Sequence, residues 1–141
     1  MFRDAATELR AMPGLHELIA RARAAQMKLA LVTNAPPENT HHLLAVLGLQ
    51  DAFDVKVLAD EIGVGKPDPA PYLHALQRLA LAPEAGLAFE DSVSGVLSAH
   101  RAGLRVVGLT TTQSATILAD AGADPIVADF EDRELLRMLD G

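Results

Sequence analysis

Five short runs, apolar almost along their whole length and each passed on to a segment with helical spacing, restrict this chain more than any other feature. They are Lys28–Val32, Phe53–Leu58, Leu87–Phe89, Arg105–Leu109 and Ile126–Val127. Around them lie helical patterns. Leu15, Leu18, Ile19 and Ala22 recur between Pro13 and about Gln26, and Leu43, Leu44 and Leu47 follow Pro36-Pro37-Glu38 and precede Gly48. Tyr72, Leu73, Leu76 and Leu79 form the inner face of a third helix. Further helices are expected from about Ser94 to Ala102 before Gly103, from Ser114 to Ala121 before Gly122, and over Arg133–Leu139. A strand with one wet face alternates polar and apolar residues; apart from Asp54 and Lys56 in the second run these do not, so both faces of the sheet must be covered. The pattern predicts an α/β fold of three layers, a Rossmann-like parallel sheet with helices on both faces. With no repeat, low-complexity tract or linker, residues 1–141 are read as one domain.

In such sheets a ligand site lies beyond the carboxyl ends of the strands. Thr33-Asn34, Asp60-Glu61, Glu90-Asp91 and Thr110-Thr111-Thr112 all fall at such ends and can meet in one crevice. The adjacent acids Glu90 and Asp91 close a buried run, where carboxylates are costly unless paired or bound to a cation. Capping of the next helix by Asp91 or Ser92 accounts for one acid, not two. Lys66, in the Gly- and Pro-rich loop 63–69, offers an ammonium that can bridge a phosphoryl oxygen and a carboxylate such as Asp91. Thr33 and Asn34, with the N–H groups of the helix that follows, make a seat for phosphate, although both residue types are also ordinary caps.

Nucleotide-loop readings of Gly63-Val64-Gly65-Lys66 fail. The P-loop pattern needs Gly at Asp60 and Ser or Thr at Pro67, and a GxGxxG needs Gly at Asp68. Thr110–Gln113 is read as a loop before a helix-capping Ser114. The five histidines show no metal spacing, and Asp129, Glu131 and Asp132 are read as cap and surface acids.

A formal charge of −7 without a Lys/Arg cluster argues against nucleic acid as a partner. No cysteine is present, so thiolate zinc sites and a cysteine nucleophile are excluded. No apolar run approaches the length of a membrane span, and a cytoplasmic location is expected.

The order Leu31-Val32-Thr33-Asn34, Gly65-Lys66-Pro67-Asp68-Pro69, and Phe89-Glu90-Asp91-Ser92 with Gly95 following resembles motifs two, three and four of the haloacid dehalogenase superfamily of phosphohydrolases. Pro13-Gly14, Ala102-Gly103, Gly108-Leu109-Thr110-Thr111 and Ala121-Gly122-Ala123-Asp124 look like the branch holding β-phosphoglucomutase, phosphoglycolate phosphatase and small sugar phosphatases. The resemblance implies a phosphatase acting on a small phosphorylated metabolite. Thr33 and Asn34 would bind the phosphoryl group, Lys66 would stabilise its charge, and Asp91 with Glu90 would hold Mg²⁺, Lys66 and Asp91 forming the catalytic pair. In that superfamily an Asp-x-Asp motif on the first strand supplies the attacking carboxylate and the general acid and base.

No Asp-x-Asp occurs in the 141 residues. The resemblance places that strand at the centre of the sheet, between the strands ending at Thr33-Asn34 and Glu90-Asp91, and a cap domain beside it. Without four or five buried strand residues the fold forfeits on the order of 10 kcal/mol, against the roughly 5–15 of a typical domain. Three remedies are open: direct pairing of the flanking strands, recruitment of the N-terminal segment, or self-association through the strand edges. The chain is expected to be inactive by itself. Alternatives are a non-catalytic fragment or pseudoenzyme that binds Mg²⁺ and phosphate or acts as an interaction module, and, ranked lower, a phosphoacceptor signalling domain, whose usual order places its acids ahead of its Thr and Lys.

Overall fold

The computed structural model describes residues 13–140. Helix α1 (Leu15–Ala24) buries Leu18, Ile19 and Ala22. It starts just after the expected Pro13, because Gly14 precedes it at φ 86°, where a Cβ would lie 2.9 Å from the Phe130 carbonyl carbon. Strand β1 (Ala30–Thr33) leads to α2 (Pro37–Leu47), which buries Leu43, Leu44 and Leu47 and ends at left-handed Gly48. Strand β2 (Val55–Leu58) runs straight into a single turn, α3 (Ala59–Ile62), that the sequence pattern did not reveal.

Helix α4 (Ala70–Leu79) buries Tyr72, Ala75, Leu76 and Leu79. Leu73, expected on that inner face, is instead 46% exposed, because the spacing that buries its neighbours turns it to solvent. Strand β3 (Leu87–Glu90) precedes α5 (Val93–Arg101), whose N-cap Ser92 accepts a bond from the Gly95 N–H at 3.0 Å. Capping therefore falls to Ser92 and leaves Asp91 for other work. Strand β4 (Arg105–Leu109), α6 (Ala115–Ala121) with Ser114 as its cap, β5 (Ile126–Val127) and α7 (Arg133–Asp140) with Asp132 bonding the Leu135 N–H complete the alternation.

All strand pairs are parallel, as expected, but the single continuous sheet is not what forms among the described residues. β1 pairs with β2, from Ala30 opposite Val55 to Thr33 opposite Leu58. Separately, β3 pairs with β4 and β4 with β5 in a three-stranded sheet. The division falls between β1 and β3, where the resemblance places a further strand, and direct pairing of these two strands is not the remedy adopted. Recruitment of residues 1–12 lies outside the described residues.

Side-chain layers carry the fold across this division. On one face, Val32 of β1 packs against the cluster of Tyr72, Leu76, Ala88, Val96 and Val106, and also against that of Val57, Ala75 and Leu79. On the other, Leu15 of α1 touches both the Phe130–Leu135 cluster and the cluster of α2 leucines. Helices thus cover both faces, giving the expected three layers. No helix among the described residues is long and apolar enough to cross a membrane.

Candidate functional site

The carboxyl ends of β1 and β3 meet around Lys66. Its ammonium donates to the Val32 carbonyl at 2.8 Å and to Glu90 Oε2 at 2.6 Å, with the lysine and glutamate side chains only 12% and 9% exposed. An ammonium has three N–H donors. Among the described residues these two acceptors leave one N–H of Lys66 for a ligand.

The loop carrying Lys66 is held at several points. Asn34 clamps its backbone, Oδ1 accepting from the Lys66 N–H at 2.9 Å while Nδ2 donates to the Lys66 carbonyl at 3.1 Å. Gly65 is required there, since a Cβ would sit 2.7 Å from Asn34 Oδ1. The buried Ser98 hydroxyl donates to the Asp68 carbonyl at 2.7 Å, and Asp68 Oδ1 accepts from the Ala70 N–H at 2.8 Å at the start of α4.

Strand parity decides the fate of the two acids. Side chains alternate along a strand, so Glu90 shares the face of Ala88, toward α4 and α5, and the burial of β3 alternates accordingly. There it meets Tyr72 of α4, whose hydroxyl donates to the same Oε2 that takes the lysine. It also meets Gly95 of α5, where a Cβ would fall 1.9 Å from Glu90 Oε1. Burial first, then the Glu90 charge and its hydrogen bond, push the ionisation of the Tyr72 phenol well above its ordinary range. The Lys66 ammonium stands 5.5 Å from the centre of the Tyr72 ring, within cation–π reach.

Asp91 takes a separate place. Its Oδ2 accepts from the Thr111 hydroxyl at 3.0 Å, and the Thr112 hydroxyl donates to its backbone carbonyl at 3.4 Å. The carboxylate opposite Lys66 is therefore Glu90, not the expected Asp91, and the two acids expected to share Mg²⁺ are held by different partners. A hard cation of this kind takes one or two carboxylates and several other oxygens. Asp91, oriented by Thr111 as an outer-shell group orients a ligand, suits one such position, whereas Glu90 is engaged with Lys66 and Tyr72. Among the described residues no three His, Asp or Glu side chains converge as a metal set.

The phosphate seat expected at β1 is also altered. Thr33 Oγ1 accepts from the Ala35 N–H at 3.0 Å and the Asn34 amide is committed to Lys66. Positions 36 and 37 are prolines without N–H groups, so the first turn of α2 offers fewer donors than a helix start usually does. Asp60 and Glu61 lie exposed on α3, and Asp60 lines an open hollow of about 400 Å³ together with Asn34, Pro36, Ala59 and Gly63–Gly65. Two of the histidines make contacts away from this crevice: His16 Nε2 bonds the Leu47 carbonyl, and the His100 ring packs over Gly122.

The haloacid dehalogenase-like hydrolase family matches residues 2–103. The chain belongs to that family. Validoxylamine A 7'-phosphate phosphatase of Streptomyces hygroscopicus is 39% identical over 108 residues, 77% of this chain and 51% of its own length. The phosphorylated carbohydrates phosphatase of Thermotoga maritima is 38% identical over 133 residues, 93% of this chain and 60% of its own. The crystal structure of CbbY from Rhodobacter sphaeroides in complex with phosphate superposes with a TM-score of 0.80 at 33% identity, covering 92% of this chain and 59% of that one. Phosphoglycolate phosphatases and, with a TM-score of 0.82 at 37% identity, a structure described as a β-phosphoglucomutase of Thermotoga maritima also match, in keeping with the expected branch. This haloacid dehalogenase-like chain spans about half to three-fifths of the length of these curated relatives.

Two features of the site escaped sequence reasoning. Tyr72 read only as an inner-face residue, although the one tyrosine on an apolar helix face needs a partner for its hydroxyl, a signal that was present. The threonines of 110–112 read as a loop, and nothing in their spacing named Asp91 as the acceptor.

Proposed function

We propose that the chain is the phosphoryl-holding core of a Mg²⁺-dependent, cytoplasmic phosphatase acting on a small phosphorylated metabolite such as a sugar phosphate. The observation that carries this reading is Lys66, fixed by Val32 and Glu90 with one N–H left over where β1 and β3 end. A phosphoryl oxygen is the acceptor such an N–H suits: the partly desolvated ammonium favours the negative charge that builds up during phosphoryl transfer. Thr33 follows Val32 at the end of the same strand; its Oγ1 accepts from the Ala35 N–H, which leaves the hydroxyl hydrogen to donate to a phosphoryl oxygen. Asp91, steadied by Thr111, would be one ligand of Mg²⁺, which when bound neutralises phosphoryl charge.

The attacking carboxylate is not assigned, because the 141 residues contain no Asp-x-Asp. The chain by itself is therefore proposed to bind phosphate without turning over esters. Commitment of Asn34 and Glu90 to internal bonds also favours the alternative of a non-catalytic module. The test is Mg²⁺-dependent phosphate release from an aryl phosphate, beside a Lys66→Ala, Asp91→Ala double variant. Equal, background-level release is expected. Release abolished by the two substitutions would show that a carboxylate within this chain acts as nucleophile.

The division between β1 and β3 supports a second part of the proposal, self-association through their edges. Sedimentation velocity over a range of concentrations is expected to show dimers or larger species; a monomer throughout would remove this part.

A further inference from the structure

A lysine on a flexible stem donates in a fixed direction only if its acceptors are themselves fixed. Of the two that hold Lys66, the Val32 carbonyl belongs to a strand and cannot turn. Glu90 stands on its own flexible stem. What immobilises it is Tyr72: the hydroxyl donates to the Oε2 that accepts from Lys66, and a tyrosine has only two side-chain torsions to lose. The ring is buried in α4 among Leu76, Ala88 and Val96 and lies beneath the ammonium, 5.5 Å away. Gly95 closes the other side of the carboxylate, leaving no space for a Cβ.

We propose that Tyr72 is a positioning residue which, through Glu90, directs the remaining N–H of Lys66 at the phosphoryl group. The proposal rests on the phosphoryl-binding reading given above. Loss of the hydroxyl leaves Oε2 with Lys66 as its single partner, so that carboxylate and ammonium can shift together and the ammonium samples several directions of which one serves the ligand. Packing is retained in Tyr72→Phe, so positional and structural roles separate.

The chain has three lysines, Lys28, Lys56 and Lys66, and nitrogen-15 labelling of their ammonium groups gives each a signal of its own in NMR. The Lys66 signal, assigned by its loss in Lys66→Ala, is expected to exchange slowly with water and to shift on titration with inorganic phosphate. In Y72F its exchange is expected to quicken and phosphate affinity to fall, each by about tenfold, the worth of one hydrogen bond to a charged group. Lys28 and Lys56 serve as internal controls. Leu79→Ala, a core truncation in the same helix, is expected to lower stability without either effect. Y72F behaving as wild type, or Leu79→Ala reproducing its effects, overturns the proposal. Should Y72F fail to fold, Glu90→Gln is expected to give the same two changes, and wild-type behaviour there overturns it equally. A wild-type Lys66 signal unmoved by phosphate overturns the phosphoryl reading, while quicker exchange in Y72F would still support the orienting contact.

Discussion

Replacing Gly95 by alanine adds one methyl group, and two opposing effects decide the outcome. Within a helix, alanine is favoured over glycine by about 0.5–1 kcal/mol. Against this, the new Cβ would lie 1.9 Å from Glu90 Oε1 and 2.4 Å from its Cδ, far inside contact distance. A free glutamate would swing aside at little cost. Glu90 is not free: it is 9% exposed and its Oε2 holds both the Lys66 ammonium and the Tyr72 hydroxyl. Overpacking costs typically about 1–3 kcal/mol, and breaking a buried pair by displacing one partner about 3–5 kcal/mol. The second figure is reduced here because Lys66 retains some contact with water. The net expectation is that Gly95→Ala loses about 2–4 kcal/mol. Urea unfolding followed by circular dichroism measures it through the midpoint at constant slope. A variant as stable as the parent, or more so, would mean that Glu90 moves without cost, and that the Lys66–Glu90–Tyr72 contact holds nothing in place.

Tyr72 is the sole tyrosine, so phenolate absorbance reports on it alone. Its folded-state ionisation is raised above the ordinary 10.0, so its contribution to stability is complete below pH 10.0 and is lost as pH rises beyond it. Absorbance is expected to show no phenolate at pH 10.0 in the folded chain, and Y72F to lose the alkaline fall in stability attributable to this group; half-ionisation at pH 10.0 without unfolding would contradict the burial. Ser98→Ala leaves the Asp68 carbonyl without its donor and is expected to cost roughly 1–3 kcal/mol in urea unfolding; an unchanged midpoint would place the hydroxyl outside the fold's support. Asn34→Ala is expected to speed amide hydrogen exchange at Lys66, whose N–H loses its acceptor, with α6 unaffected; unaltered exchange would show that the clamp is dispensable.

The helices and strands were legible because their signals are local. Short, mainly apolar runs marked the five strands of the described residues near their observed places, and Gly48, Gly103 and Gly122 marked where α2, α5 and α6 give way. Leu73 misled because it is as apolar as its buried neighbours, and only its rotation about the α4 axis distinguishes it. Lys28 and Arg105 open apolar runs, and their placement is explained only in three dimensions: each donates to a distant carbonyl, that of Leu79 and that of Asp124. In the site, the residue types were readable from the motif order, but their pairing was not. Pairing depends on parity at the end of β3 and on which helices lie beneath it, and so Glu90 faces Lys66 and Tyr72 while Asp91 faces Thr111. The two-point bond from Asn34 to Lys66 crosses 32 residues, and no spacing in the sequence announces it.

The most direct measurement is calorimetric titration of the 141-residue chain and its Lys66→Ala variant with inorganic phosphate, at matched ionic strength. Binding by the parent and a roughly ten- to hundredfold weaker affinity in the variant are expected, the worth of a hydrogen bond from a charged donor. Equal affinities, or no binding by either, would contradict the assignment of Lys66 as the phosphoryl-binding group.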